Sequence, residues 1–439
     1  MSEETVAPAT SEATGGAPAG AEAPVPRRRR RVWLAYLTAA GPGLIAANAG
    51  NDAGGVVTYA SAGAQFVYRT LFFMVLVTIA LVVVQEMCAR LGTFTGKGLG
   101  ALIREEFSLR WASFALFCLV LANLGLVVSE FAGIGAALQL FGVSRYLSVP
   151  IAAVAIWALV MFGSYRYAER LFLVMTFVFF TYPIAAILGH PHWGNVVSST
   201  FVPHLIVSKA FILLGVQLIG TTITPYMQLY ISAAVADKGI APDDYRYERF
   251  DTVFGAIFAD LISVFIIIAT AAAIGQRHQP LASAAQAADA LKPVAGSAAT
   301  KLFGLGLFGA SALAGAVVPL STAYAVTEAI GVERSVSRRF AEAPLFLSLF
   351  TGQVLVGALI ALAPGNLVTL LLNTQELNGI ITPVILVFIL LLANRRRLLG
   401  DAANGPIFRV VATVVVIAIS ALSAIIVVQT VLGWFGVGT

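Results

Sequence analysis

Charge is scarce in this chain. Asp, Glu, Lys and Arg make up 11% of the 439 residues, against roughly 25% in a soluble globular protein, which excludes an ordinary water-soluble fold. Cysteine is scarcer: only Cys88 and Cys118 occur, both inside apolar segments, and two such thiols define neither a disulfide framework nor a zinc site. The four histidines, His190, His192, His204 and His278, all fall between apolar runs. They decorate solvated surface there, and His190-Pro191-His192 offers a weak surface metal contact at most. No basic patch is interleaved with aromatics, so the net charge of +5 does not point to nucleic acid. No nucleophile–base pair, His/Asp hydrolase motif or strand-borne phosphate loop is present, and Gly15-Gly16-Ala17 is low complexity. An enzyme is therefore not expected, and no cofactor is implied.

Apolar length is what the chain has instead. It is 59% hydrophobic with a mean hydropathy of +0.89. About 20 apolar residues cross a bilayer, and on that scale eleven spans are expected, near 33–63, 70–90, 111–139, 146–164, 170–189, 207–236, 250–275, 299–329, 344–363, 367–394 and 408–434. Residues 1–31 read as a disordered tail rich in Ala, Pro, Glu, Ser and Gly, closed by the basic run Arg27–Arg31. The apolar segment after that run is too long for a cleaved signal.

Lys and Arg set the orientation. With the N-terminus in the cytoplasm, the inner side receives Arg27 to Arg31, Arg90, Lys97, Arg104, Arg110, Arg166, Arg170, Lys238, Arg246, Arg249, Arg334, Arg338, Arg339, Arg395 to Arg397 and Arg409, which is 21 of the 27 basic residues. The outer side receives Arg69, Arg145, Lys209, Arg277, Lys292 and Lys301. A multi-pass protein of the plasma (inner) membrane is expected, N-terminus inside and C-terminus outside. Oligomeric state is not legible.

Two spans are interrupted. Gly50-Asn51-Asp52-Ala53-Gly54-Gly55 lies in the first. Each Gly costs a helix roughly 1 kcal/mol relative to Ala, and an ionised Asp at bilayer depth costs a few kcal/mol unless paired. Gly220-Thr221-Thr222-Ile223-Thr224-Pro225 lies in the sixth, where Pro225 removes a helix hydrogen bond. Alone, the second break is also the pattern of an ordinary Pro-kinked helix with threonine back-bonding. Matching breaks in spans one and six instead fit two inverted five-helix repeats, residues 32–190 and 205–397, with an eleventh helix at 407–434. That is an all-α transporter architecture with its site on discontinuous helices at the midplane.

The breaks gather oxygen. Asp52 supplies a full charge; Asn51, Thr221, Thr222 and Thr224 add neutral oxygens, a set suited to hard divalent cations. Met227 stands nearly one turn beyond Thr224, so its sulfur is at the margin. In the tenth span Gln375, Asn378 and Thr382 share one helical stripe, while Glu376 is rotated off it by about 100°; amide bonding between helices is the structural alternative for that stripe. Glu130 and Asp260 are intramembrane acids without a helical partner, Asp260 about 15 Å into its span, and with Glu376 they are the candidate ion or proton relays. Glu86 is expected to pair with Arg90 at i, i+4, and Glu328 with Arg334.

With these residues the chain resembles the NRAMP (natural resistance-associated macrophage protein) family of divalent-metal transporters, from Gly41 to about Arg397. Gly41-Pro42-Gly43 opens the first span as in the family. Asp52 falls on the metal-binding Asp of the Asp-Pro-Gly-Asn motif. Gln85, Ala89-Arg90-Leu91-Gly92 and Thr95-Gly96 follow the second-span pattern, and Gln375 matches a Gln of the tenth. The departures are as informative. The motif's Pro and Asn are Ala53 and Gly55, and Gly55 is counted with the site. The sixth-span Met-Pro-His is Thr224-Pro225-Tyr226, the second histidine of that half-helix is Ile231, and the third-span acidic pair is Glu130 and Gly133. These look like the divergent NRAMP-related branch, similar to Mg²⁺ and Mn²⁺ transporters. The resemblance implies a LeuT-like fold and transport of a partly hydrated Mg²⁺ or Mn²⁺ with weak or no proton coupling. The alternative is a LeuT-fold transporter of a small organic substrate, against which stands the lack of an apolar substrate pocket.

Overall fold

The computed structural model describes residues 51–162, 174, 177–203, 206, 208–331 and 343–434. The basic run Arg27–Arg31, Gly50 and the first half of the first span, the start of the fifth, His204 and Arg334 lie outside the described residues. Among the described residues every element is helical. The elements that matter for the site are α1 (Ala53–Phe66), α2 (Leu71–Thr95), α3 (Leu99–Glu106), α4 (Leu109–Gln139), α5 (Arg145–Met161), α6 (Thr181–Leu188), α7 (Trp193–Phe201), α8 (Lys209–Thr222), α9 (Pro225–Asp237), α10 (Tyr245–Ile274), α11 (Ala299–Ile330), α12 (Pro344–Ala361), α13 (Leu367–Ala393) and α14 (Pro406–Trp434).

Eight helices in the described residues are long and apolar enough to cross a membrane, and two shorter apolar ones, Arg145–Met161 and Phe177–Leu188, stand at the fourth and fifth expected spans. α1 is the second half of the first. Side chains such as Ile151, Val154, Leu355, Leu359, Val414 and Ile417 are exposed, the pattern of a surface solvated by lipid rather than water. The short helix α3 went unread because only eight residues carry its signal: Leu99, Leu102 and Ile103 are buried on one face at i, i+3, i+4 while Arg104 and Glu105 are exposed.

Helix α4 lies at the centre, packed by α11, α13, α12 and α5, while α10 lies along α1 and α2. Helices α8 and α13 approach each other closely. A Cβ on Gly220 would stand 2.0 Å from the backbone oxygen of Gln375 and 2.5 Å from the amide nitrogen of Gly379. Two glycines thus let two backbones touch, and that contact brings the break after α8 beside the polar stripe of α13.

At one membrane face, polar side chains tie the helices together. Arg90 pairs with Glu86 at 2.9 Å, as its i, i+4 spacing requires, and also donates to Asn404 Oδ1 at 2.6 Å and to Ala402 O at 3.0 Å, both before α14. Tyr245 donates to Glu86 Oε1 at 2.8 Å. Beside this group, Arg395 and Arg397 both donate to Glu106, and Arg395 stacks 4.5 Å over Phe107. The hydrogen bonds from Arg397 and Arg395 hold the Glu106 carboxyl below its usual range. A depressed pKa contributes stability above the unfolded value and loses it as pH falls through the folded one. Glu106→Gln is therefore expected to lower the thermal midpoint at neutral pH, with the difference closing under acid; a difference unchanged across that range would mean the ion pair carries none of it. The effect is small, because Arg397 is largely exposed and water screens the pair.

Candidate functional site

The site begins at the start of α1. Asp52 is its N-cap, with extended backbone (φ −67°, ψ 177°), and its Oδ1 accepts from the Gly55 amide at 2.6 Å. A carboxylate here satisfies an amide the helix leaves free and lies at the positive end of the helix dipole. Its second oxygen, Oδ2, is buried and has no hydrogen-bond partner among the described residues. Gly55 meets the site through that amide. The first turn of a helix presents amides, not carbonyls, and its amide is spent on Asp52. Asn51, also buried, is held from α10, where Ser263 Oγ donates to its Oδ1 at 3.4 Å.

The second break falls between α8 and α9. Ile223 (φ −113°, ψ 53°) ends one helix, and Thr224 (φ −67°, ψ 140°) leads into the next, with Pro225 in the first helical turn where its missing amide costs nothing. Thr224 is fully buried, yet its hydroxyl does not cap α9 and has no partner among the described residues. The Thr221 hydroxyl is likewise buried and unpartnered. Thr222 differs, for its Oγ1 is paired with Tyr59 OH at 2.9 Å, which fastens α8 to α1.

Helix α13 closes the third side. Gln375, Asn378 and Thr382 are all buried and Glu376 is half-buried, as the stripe geometry requires. The Gln375 amide lies over the first turn of α1, so close that a Cβ on Gly54 would stand 1.8 Å from Nε2. Among the described residues its Oε1 has no partner, and neither does Asn378 Oδ1, although the Asn378 amide donates to Thr374 O at 3.0 Å. Thr382 Oγ1 donates to Asn378 O at 2.7 Å and reaches Ile223 O, a carbonyl freed at the break, at 3.3 Å.

Among the described residues, five buried oxygens on or capping four helices, α1, α8, α9 and α13, therefore lack partners: Asp52 Oδ2, Thr221 Oγ1, Thr224 Oγ1, Gln375 Oε1 and Asn378 Oδ1. Buried polar atoms are nearly always satisfied, and oxygens left over together fit a hard cation with its waters. Sulfur is turned away, since Met227 Sδ faces Gln85 Nε2 at 3.8 Å. Among the described residues no three His, Cys, Asp or Glu side chains come together, so most of the donors here are neutral. Of the relay candidates, Glu130 is fully buried and faces the Ala53 amide without a bond of normal geometry. Asp260 is buried beside Thr78 and near Tyr59. Glu376 points off the stripe.

Tyr59, Ser129 and Ser263 were not read from sequence. Ser263 carried a signal, lying three residues after Asp260 on α10. Ser129, 3.5 Å from Gln375 Nε2, precedes Glu130 and carried none.

The natural resistance-associated macrophage protein-like (Nramp) family description matches residues 43–429. The divalent metal cation transporter MntH of Aeromonas hydrophila is 27% identical over 400 residues, covering 88% of this chain and 95% of that protein. Among solved structures, a manganese transporter of Eremococcus coleocola in complex with an aromatic bis-isothiourea substituted compound superposes with a TM-score of 0.73 at 21% identity, over 94% of this chain and 90% of that one. A nucleobase-cation-symport-1 family transporter in a closed conformation superposes more loosely, with a TM-score of 0.50 at 16% identity over 89% and 92%. These likenesses show the fold, all-helical and LeuT-like. A match that runs from residue 43 to residue 429, across both breaks and the polar stripe of α13, shows that this chain belongs to the Nramp family of transporters and is not an enzyme.

Proposed function

We propose that this chain carries Mg²⁺ or Mn²⁺ across the membrane by alternating access, with the ion held at Asp52 and at oxygens of Asn51, Thr221, Thr224, Gln375 and Asn378 while keeping part of its water. Divalent metal cation transport is the activity of the family; the choice of ion is what these residues bear on. The observation that carries the proposal is the group of buried oxygens without partners, of which only Asp52 Oδ2 bears a full charge. Oxygen ligands suit Mg²⁺ and Mn²⁺, whereas thioether or imidazole would favour softer ions. Mg²⁺ gives up water reluctantly, and threonine at position 224 leaves more room than a longer side chain would. Thr222 contributes by holding Tyr59, and Glu130 adds a second buried carboxyl group beside α1.

The test is uptake into proteoliposomes with Mg²⁺, Mn²⁺, Ca²⁺ and Cd²⁺. Wild type is expected to move Mg²⁺ or Mn²⁺ without stoichiometric acidification of the lumen; one proton entering per ion would remove the uncoupled part of the proposal. Thr224→Met is expected to shift preference toward Mn²⁺ or Cd²⁺ over Mg²⁺ by about tenfold, equivalent to about 1.4 kcal/mol. An unchanged preference would mean that Thr224 does not face the ion.

A further inference from the structure

On the membrane face opposite the Arg90 network, a cleft of about 400 Å³ opens between the end of α4, the start of α5, the segment around Ser283 and the start of α13. It is lined by Gln139, Ser144, Arg145, Tyr146, Ser283 and Asn366 among others. Arg145 is only 8% exposed. Its guanidinium donates to Gly365 O at 2.9 Å and to Tyr146 OH at 3.1 Å and stacks over the Tyr146 ring at 5.0 Å. Both hydrogen-bond partners are neutral, and no carboxylate of the described residues lies within ion-pair distance of it. A buried charge without a counter-charge is costly, so an anion is the natural complement of this residue.

The surroundings favour the same sign. Two long helices start here, α5 with 17 residues and α13 with 27. Their caps, Ser144 and Asn366, bond amides two or three residues further on, which leaves the amides of Arg145 and Leu367 at the positive ends of two helix dipoles. One turn along α5 from Arg145, the Ser148 hydroxyl is buried without a partner among the described residues. The cleft also leads onto lipid-facing surface, because Tyr146, Leu147 and Ile151 are all more than half exposed.

We propose that the cleft around Arg145 is a binding site for a phosphate group, either free or carried on a lipid headgroup of the adjoining leaflet. Arg suits phosphate through its planar fork of donors. The site is remote from Asp52 in sequence and element, and joins four segments of the fold that the cation site does not use at these ends.

The test uses the full chain in uncharged detergent, stripped of lipid. Inorganic phosphate at about 100 times its dissociation constant is expected to raise the thermal midpoint by a few degrees, with no rise from chloride at equal ionic strength. A rise only with phosphatidic acid in mixed micelles, and not with diacylglycerol, assigns the phosphate to lipid. Arg145→Gln is expected to weaken binding by at least about tenfold. Gln139→Glu, which places a carboxylate in the same cleft, is expected to weaken it similarly while the protein stays folded, and it carries the test should Arg145→Gln misfold. No rise in wild type with either probe, or a rise that survives Gln139→Glu undiminished, overturns the proposal.

Discussion

Asp52→Asn is expected to leave the protein folded and to lower cation uptake by at least about a hundredfold, while Asp52→Ala loses the same uptake and some stability besides. The two oxygens of Asp52 do different work. Oδ1 caps α1 through the Gly55 amide, a role worth about 1 kcal/mol that Asn fills as well as Asp. Oδ2 is buried without a partner and carries the charge that a divalent cation needs. Asn keeps the first role and removes the second; Ala removes both. Uptake in proteoliposomes, measured beside the thermal midpoint of each variant, separates them. Asp52→Asn transporting within twofold of wild type would mean that the ion does not rest on this carboxylate, and the proposed site would then have no full charge at its centre.

The sequence made the axial positions of these groups legible, and left their neighbours dark. Gly50 to Gly55 and Thr224-Pro225 announce the breaks through residue types that a helix interior rejects, and helical periodicity alone places Gln375 and Asn378 on the buried stripe and Glu376 off it. What periodicity lacks is the identity of the facing helix. Thr222 and Thr224 looked equivalent, but only Thr222 meets Tyr59. Met227 stood near enough to leave its sulfur in question, and the orientation of α9 turns that sulfur to Gln85 instead. Gly55 was counted with the site from its place in a motif, and the local bond from its amide to Asp52 is what the motif could not show. The cleft at Arg145 is assembled from four segments far apart in sequence, and each alone reads as a polar loop with one basic residue.

Gly220→Ala is expected to destabilise the protein by about 2 kcal/mol or more and to weaken cation binding with it. Added volume in a packed interior typically costs about 1–3 kcal/mol, and here the obstacle is backbone: the new Cβ would lie 2.0 Å from Gln375 O and 2.5 Å from Gly379 N. Neither can rotate aside as a side chain would, so α8 and α13 must separate. That separation carries Thr221 away from Gln375, which couples the stability loss to the site. Gly352→Ala is the control, since Gly352 lies inside α12 and a Cβ there meets nothing within 4 Å. The helix then gains about 0.5–1 kcal/mol from the Gly to Ala exchange itself. The two substitutions add the same methyl group to a membrane helix and are expected to move the thermal midpoint in opposite directions. A Gly220→Ala protein as stable as Gly352→Ala would show that α8 and α13 have room between them, and the glycine contact would then no longer account for how the second break is held against the stripe of α13.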